Sequence, residues 1–84
     1  MTVEEIRDIV RQSVTRVTGI APGEIDDASS YRDALGLDSL SALEVMVDIE
    51  YAFKIKVPEE RMQSVKTIGD TIQVVQEYLS AAKS

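Results

Sequence analysis

The sequence predicts an all-α fold with four helical segments, a long loop between the first and second, and a short third. Apolar residues recur at three- and four-residue spacing in separate stretches. N-capping residues precede these stretches, and Gly and Pro lie in the intervals between them. The length of 84 residues suits one small core, so we expect a single domain over residues 1–84.

The first helix is predicted over residues 3–17, where valine and isoleucine recur on one side. Thr2 is a suitable N-cap, and Gly19 is a suitable end. The following connection, residues 18–37, is rich in turn-forming residues. We expect residues 29–35 to form a short helical turn within it.

The second helix is predicted over residues 39–53. Asp38 is a good N-cap, but Ser41 and Glu44 also have capping-box spacing, which leaves open a start one or two residues later. The side expected to face the core comprises Ala42, Val45, Met46, Ile49 and Phe53. Pro58, expected as the first helical residue, and the acids after it predict a short third helix.

A narrower apolar stripe lies on the opposite side of the second helix. It comprises Leu40, Leu43 and Val47, and acids flank it at Glu44, Asp48 and Glu50. An exposed apolar stripe with an acidic rim is typical of a protein-docking surface. The alternative is that the stripe packs beneath the long connection.

The last helix is predicted to begin after a capping signal at Thr67. Its core stripe is Ile68, Ile72, Val75 and Leu79. The tail, residues 80–84, is expected to fray.

Composition limits the chemistry that the chain itself can perform. The sequence contains no cysteine and no histidine, so we expect no disulfide, no thiolate metal site and no imidazole base. An independent hydrolase is disfavoured because no residue is available to activate a serine. The Asp26-Asp27 pair lacks the alternating spacing of a calcium loop. The sequence therefore predicts neither an enzyme nor a metal site.

Charge and hydropathy indicate the kind of partner. The formal net charge is −6, and residues 24–60 hold ten acidic and three basic residues. This acidic middle argues against nucleic acid and favours partners with basic patches. No apolar run exceeds three residues, so we expect no membrane segment and a cytoplasmic location.

The segment Leu35-Gly36-Leu37-Asp38-Ser39-Leu40 carries the strongest functional signal. With Asp38 as the cap, the Ser39 hydroxyl would lie at the helix N-terminus. Free N–H groups and the helix dipole favour a phosphate there. Gly36 would allow a modifying enzyme to approach closely.

This segment resembles the L-G-x-D-S-L signature of acyl carrier proteins. The resemblance implies a small four-helix bundle in which Ser39 carries covalent phosphopantetheine, beside Asp38 and Gly36. A phosphopantetheinyl transferase would deliver the arm from coenzyme A. The arm would then hold acyl chains as thioesters for fatty-acid or polyketide biosynthesis, and the protein would be a monomer.

The same resemblance implies further site residues. Synthase enzymes with basic patches would dock on Leu40, Leu43, Glu44, Val47, Asp48 and Glu50. A pocket for the acyl chain would be formed by Met46, Val57, Met62 and Val65.

Some positions differ from the pattern of fatty-acid carriers, in which acids are more frequent. They are Ser41, Tyr51 and Lys56, with Arg61 as an additional base. These differences leave a polyketide or other specialised pathway open. Two further functions also remain open: a carrier of aminoacyl or peptidyl groups, and an unmodified helical docking module.

Overall fold

The computed structural model describes residues 1–83 and has four α-helices in the predicted order. The helices are α1 (Val3–Thr18), α2 (Ser39–Phe53), α3 (Glu59–Ser64) and α4 (Ile68–Lys83). Within residues 1–83, extended pairing is limited to one antiparallel bridge between Ser30 and Thr67. The prediction of an all-α chain with a long first loop and a short third helix is confirmed.

The first helix is closed at both ends by the predicted residues. The Thr2 hydroxyl accepts a hydrogen bond from the Glu5 N–H at 3.2 Å, and the Glu5 carboxylate accepts one from the Thr2 N–H at 2.9 Å. This reciprocal pair is a capping box. Gly19 has a left-handed φ of 80°, and its N–H donates to the Thr15 carbonyl at 2.8 Å. The helix runs one residue further than predicted, to Thr18.

The core is formed by α1, α2 and α4, with α1 packed against both other helices. Each predicted core stripe is mostly buried. In α2 the buried residues are Val45, Met46, Ile49 and Phe53, and in α4 they include Ile68, Ile72 and Val75. Ala42 and Leu79 are half-buried at the edges of these stripes. Each fully buried aliphatic side chain contributes about 1.5–3 kcal/mol relative to exposure.

Besides a tight turn between Asp26 and Ser29, the long connection contains two further local structures. One is a 3₁₀ turn at Pro22–Glu24, which the sequence reasoning did not predict. The other is the predicted helical turn, in which the N–H groups of Ala34 and Leu35 donate to the Ser30 carbonyl at 3.2 and 3.0 Å. The Ser30 hydroxyl also accepts from the Ala34 N–H at 3.0 Å.

Asp27 fastens the connection to two helices. Its carboxylate receives bonds from the Arg7 guanidinium at 2.9 and 3.1 Å, which ties the connection to α1. Its carbonyl accepts the Gly69 N–H at 2.8 Å. A Cβ on Gly69 would lie 3.1 Å from that carbonyl oxygen, so glycine permits the close approach of the two backbones.

Tyr31 provides a second attachment, between the connection and the start of α4. Its N–H donates to the Lys66 carbonyl at 2.9 Å. Its phenol is buried and hydrogen-bonded to the Thr71 hydroxyl. Burial raises the pKa of Tyr31 to about 12, so the phenol stays neutral. These bonds hold the segment before Ser39 against the body of the domain.

Thr67 caps α4 as predicted: its hydroxyl accepts the Asp70 N–H at 3.1 Å, and the Asp70 carboxylate accepts the Thr67 N–H at 3.2 Å. One other expectation is corrected: Pro58 is the N-cap of α3 rather than its first residue, because its ψ of 148° is extended. Helix α4 continues to Lys83. The expected fraying of the tail remains a prediction. Ser84 lies outside the described residues.

Candidate functional site

Ser39 is the first residue of α2, and Asp38 is its N-cap. Asp38 has extended φ and ψ of −83° and 178°. Its carboxylate accepts the Ser41 N–H at 2.8 Å, and its carbonyl accepts the Ala42 N–H at 3.0 Å. The helix therefore begins at the earlier of the two starts that the sequence left open, and Ser41 does not act as the cap.

The cap carries a negative charge at neutral pH. The hydrogen bond from the Ser41 backbone N–H holds the pKa of Asp38 below its ordinary value of 3.8. A carboxylate at this end is also favoured by the positive end of the helix dipole. The carboxylate, and not the Ser39 hydroxyl, therefore closes the first turn.

The Ser39 side chain is exposed, and within residues 1–83 its hydroxyl has no hydrogen-bond partner. It lies where the first N–H groups of α2 point away from the helix body. That environment suits a phosphate ester. The residues present therefore fit a phosphodiester-linked group at this position.

Gly36 shapes the turn before the cap. Its φ is +66°, a left-handed conformation that glycine adopts without steric cost. A Cβ added at this position would meet nothing within 4 Å. The backbone conformation, and not crowding within the domain, therefore explains the glycine. Its predicted effect on the approach of a modifying enzyme remains a prediction.

A cleft of about 650 Å³ opens beside Ser39. Its apolar lining includes Ala42, Leu43, Met46, Met62 and Val65. Three of the four predicted pocket residues, Met46, Met62 and Val65, therefore line the same cavity as Ser39, the candidate attachment residue. Val57 is buried but does not line the cleft. The role of these residues in holding an acyl chain remains a prediction.

The outward side of α2 carries an apolar band, here called the outer strip. It consists of Leu40, Leu43, Val47 and Tyr51, which are 64%, 44%, 41% and 81% exposed. These exposures rule out the alternative in which the first three residues pack beneath the long connection. The sequence reasoning missed Tyr51 as part of the strip, although its spacing of four residues from Val47 places it there.

The acids beside the outer strip differ in their surroundings. Glu44 is exposed and has no ion-pair or hydrogen-bond partner within residues 1–83. Asp48 pairs with Arg16 of α1 at 2.7 Å, and that hydrogen bond lowers the pKa of the Asp48 carboxyl. The Glu50 carboxylate accepts the Val57 N–H at 2.7 Å. Asp48 and Glu50 therefore also hold parts of the fold together.

In the part of the chain that the structure describes, no cluster of three His, Cys, Asp or Glu side chains is placed to bind a metal ion. No helix among those residues is long and apolar enough to cross a membrane.

Comparison with known proteins gives consistent matches. The family described as "Phosphopantetheine attachment site" matches residues 8–75. The "Meromycolate extension acyl carrier protein" of Mycobacterium leprae is 37% identical over 76 residues, which cover 90% of this chain and 66% of that protein. The "Acyl carrier protein" of Rhodococcus erythropolis is 40% identical over 75 residues, which cover 89% of this chain and 82% of that protein.

A solved structure supports the fold. The acyl carrier protein from Enterococcus faecalis superimposes with a TM-score of 0.75 and 23% identity, covering 93% of this chain and 99% of that one. The chain therefore has the fold of that small helical domain. The family and sequence matches show that the chain belongs to the acyl carrier protein family, whose members are phosphopantetheine-bearing carriers and not catalysts. The chain spans 66% of the length of the Mycobacterium leprae protein.

Proposed function

We propose that this chain carries acyl intermediates as thioesters on a phosphopantetheine arm attached to Ser39, in fatty-acid or polyketide chain assembly. The observation that carries the proposal is the exposed, unpaired Ser39 hydroxyl at the N-terminus of α2, beside a cleft whose lining is partly apolar. The relatives named above are acyl carriers, and one is named for meromycolate extension. Those names favour acyl over aminoacyl cargo.

The residues around Ser39 have separate roles in this proposal. Asp38 fixes the start of α2 and leaves the Ser39 hydroxyl free for esterification. The first N–H groups of α2 then stabilise the phosphate charge. When bound, phosphopantetheine supplies the terminal thiol that this cysteine-free chain lacks. Gly36 allows the left-handed turn that presents Ser39.

The cleft gives the carrier a place to shelter an acyl chain from water. Met46 and Met62 line it, and methionine adapts to irregular volumes because its side chain is flexible. Val65 adds apolar surface to the same lining. Ser39 is part of the lining of the same cleft, so a tethered chain can enter the cleft from the attachment point. Burial of each methylene there would contribute about 0.8 kcal/mol before the cost of widening the cleft.

The partners in this proposal are a phosphopantetheinyl transferase and synthase enzymes that present basic patches to α2. The outer strip supplies apolar contact area, and Glu44 supplies an uncompensated charge beside it. A complementary basic patch would accelerate the encounter and orient the carrier.

A loading reaction tests the attachment site. The unmodified protein is incubated with coenzyme A, magnesium and a phosphopantetheinyl transferase of broad carrier tolerance, and its intact mass is measured. We expect one arm on the parent and none on Ser39→Ala. Ser41→Ala is the matched control, because it removes a hydroxyl from the same helical turn and should still be loaded. An arm on the Ser39→Ala protein would contradict the proposal.

A further inference from the structure

The cleft beside Ser39 is lined not only by apolar residues but also by polar side chains that have no role in attaching the arm. Three of them can donate hydrogen bonds: Arg32, Gln63 and Lys66. All three are exposed, and none forms a side-chain hydrogen bond or ion pair among the residues whose side chains the structure describes. The cleft therefore presents three free donors to a group that enters it.

The three donors lie on both walls of the cleft. Arg32 follows Tyr31 in the long connection, whereas Gln63 belongs to α3 and Lys66 comes two residues after that helix. The two walls are joined where the Tyr31 N–H donates to the Lys66 carbonyl at 2.9 Å. This bond fixes the backbone at Lys66 and next to Arg32, so both cations stay at the cleft although their side chains are free. A ligand in the cleft can therefore receive hydrogen bonds from two sides.

The apolar part of the lining lies deeper than the donors. Met46 is buried, and Met62 and Val65 are half-buried. A saturated chain in the cleft would contact this deeper surface and would displace water from the donors without replacing its hydrogen bonds. A chain that also carries oxygen atoms would keep the same apolar contacts and would accept hydrogen bonds from the donors.

The charges of the lining decide which oxygen groups fit. Three carboxylates, those of Asp33, Asp38 and Glu59, line the cleft together with the two cations, which gives the lining a formal charge of −1. A cargo with a free carboxylate would meet like charges there. A ketone or a hydroxyl carries no charge and can still accept from an arginine, lysine or glutamine side chain. The lining therefore favours neutral oxygen groups.

We infer that Arg32, Gln63 and Lys66 determine the cargo: the cleft holds acyl chains that bear ketone or hydroxyl groups in preference to saturated chains of equal length. The inference rests on the proposed carrier function and names the substrate class of the same site. The hydrocarbon part of such a chain lies against Met46 and Met62. Its oxygen atoms accept hydrogen bonds from the donors at the rim of the cleft.

The inference is tested with two cargoes of equal length, octanoyl and 5-oxooctanoyl. Each is transferred from its coenzyme A thioester by a transferase of broad tolerance, and intact mass confirms loading. The rate at which hydroxylamine cleaves each thioester is then divided by the rate for the same acyl group on free pantetheine. We expect the oxo chain to be protected about threefold or more beyond the saturated one, because hydrogen bonds add to the same apolar contacts.

Variants connect this preference to the donors. The triple variant Arg32→Met, Gln63→Leu, Lys66→Met should protect the two cargoes equally, since it keeps the volume of the lining and removes the donors. The exchange Arg32→Lys with Lys66→Arg keeps the donors and should keep the preference. The matched control is Lys56→Met with Gln73→Leu, which changes exposed residues of the same types outside the cleft lining. Circular dichroism checks that each variant keeps its helices.

Two results would overturn the inference. One is a parent protein that protects the saturated chain as well as or better than the oxo chain, including no protection of either. The other is a preference for the oxo chain that persists in the triple variant, because the three donors would then not be its cause. A parent protein that accepts no arm refutes the proposed function itself. A loaded protein that does not distinguish the cargoes refutes only their selection by the cleft.

Discussion

At the residue scale, Asp38 and Ser39 have separate roles: Asp38 caps α2, and the exposed Ser39 hydroxyl is therefore left free of hydrogen bonds within the described residues. The Asp38 carboxylate receives the Ser41 N–H, so α2 does not need the Ser39 hydroxyl for its first turn. A serine in the capping position itself would have its oxygen engaged by the backbone. The position after the cap leaves the hydroxyl free while keeping it beside the helix terminus.

Because Asp38 and not Ser39 caps α2, substitutions at the two residues should have different effects on stability. Ser39→Ala should change the free energy of unfolding by ~0.5 kcal/mol or less, because it removes an exposed hydroxyl without a partner. Asp38→Ala should lower the stability clearly more, because it removes the cap. Urea unfolding followed by circular dichroism measures both. A larger loss for Ser39→Ala than for Asp38→Ala would contradict the assignment of the cap.

Gly36 gives a second prediction at this scale. Gly36→Ala should destabilise the domain by about 1 kcal/mol, because alanine is strained at a φ of +66° although the space around it is open. Gly36→Asn should lose less, since asparagine tolerates the left-handed region. Gly23→Ala is the control, as that glycine has no positive φ and an equally open surrounding. Equal stability of all three variants in urea would show that the backbone conformation at Gly36 is not required.

At the scale of elements, ion pairs connect α1 to the connection and to α2. Arg7 holds Asp27, and Arg16 holds Asp48. In both acids the hydrogen bond from arginine is the largest cause that lowers the carboxyl pKa below 3.8. At pH values near 3.8 these two carboxylates therefore bind protons more readily in the unfolded chain than in the folded one. The stability that these carboxylates contribute is present above about pH 4 and is lost as the pH falls further.

The pH dependence of one pair can be isolated by substitution. Asp48→Asn should unfold more easily than the parent at neutral pH, and the difference should shrink as the pH falls below about 4. Asp8→Asn is the control, because Asp8 is exposed and forms no ion pair within residues 1–83. Urea unfolding between pH 3 and pH 7 gives the comparison. A constant difference between Asp48→Asn and the parent over that range would contradict the account.

Glu44 offers a clean test of docking by α2. Reversal of Asp48 would also break its contact with Arg16, whereas Glu44 has no structural partner within the described chain. Glu44→Lys should therefore slow association with the transferase, most strongly at low salt, and leave helicity unchanged. Stopped-flow association rates at several salt concentrations measure this effect, with Glu4→Lys on α1 as the control. Equal low-salt rates for parent and Glu44→Lys would exclude Glu44 from the docking surface.

The sequence predicted the features that depend on neighbours in the chain. The caps at Thr2, Asp38 and Thr67 and the two faces of α2 follow from spacings of three or four residues. The contacts that position the long connection were not predicted. Arg7–Asp27 and Tyr31–Thr71 join residues 20 and 40 positions apart, and no local pattern specifies such pairs.

The candidate site shows the same division between local and distant information. The position of Ser39 could be predicted because its cap is adjacent in the chain. The bonds that Asp48 and Glu50 form within the domain could not be predicted. A helical wheel gives the direction of a side chain but does not show which residues lie opposite it. Val57 was placed in the pocket by resemblance alone; it is buried and does not line the cleft, and its part in holding an acyl chain remains a prediction.

At the scale of the whole molecule, the cleft beside Ser39 predicts that cargo affects stability. Loading a medium-length acyl group should raise the thermal midpoint above that of the arm-bearing protein without cargo. The reason is that each buried methylene contributes about 0.8 kcal/mol against the cost of opening the cleft. Calorimetry measures the midpoints, and an acetyl-loaded sample is the control. An unchanged midpoint, with an acyl chain that NMR shows to be mobile in solvent, would contradict sequestration.

The central claim, that Ser39 bears the arm in the living cell, is tested most directly by mass spectrometry of the protein isolated from its native host. Intact mass would show the arm and any acyl group, and fragmentation would locate the attachment. The account predicts a single phosphopantetheine on Ser39, with acyl cargo on part of the population. A protein recovered without the arm, or with the arm on a different residue, would contradict it.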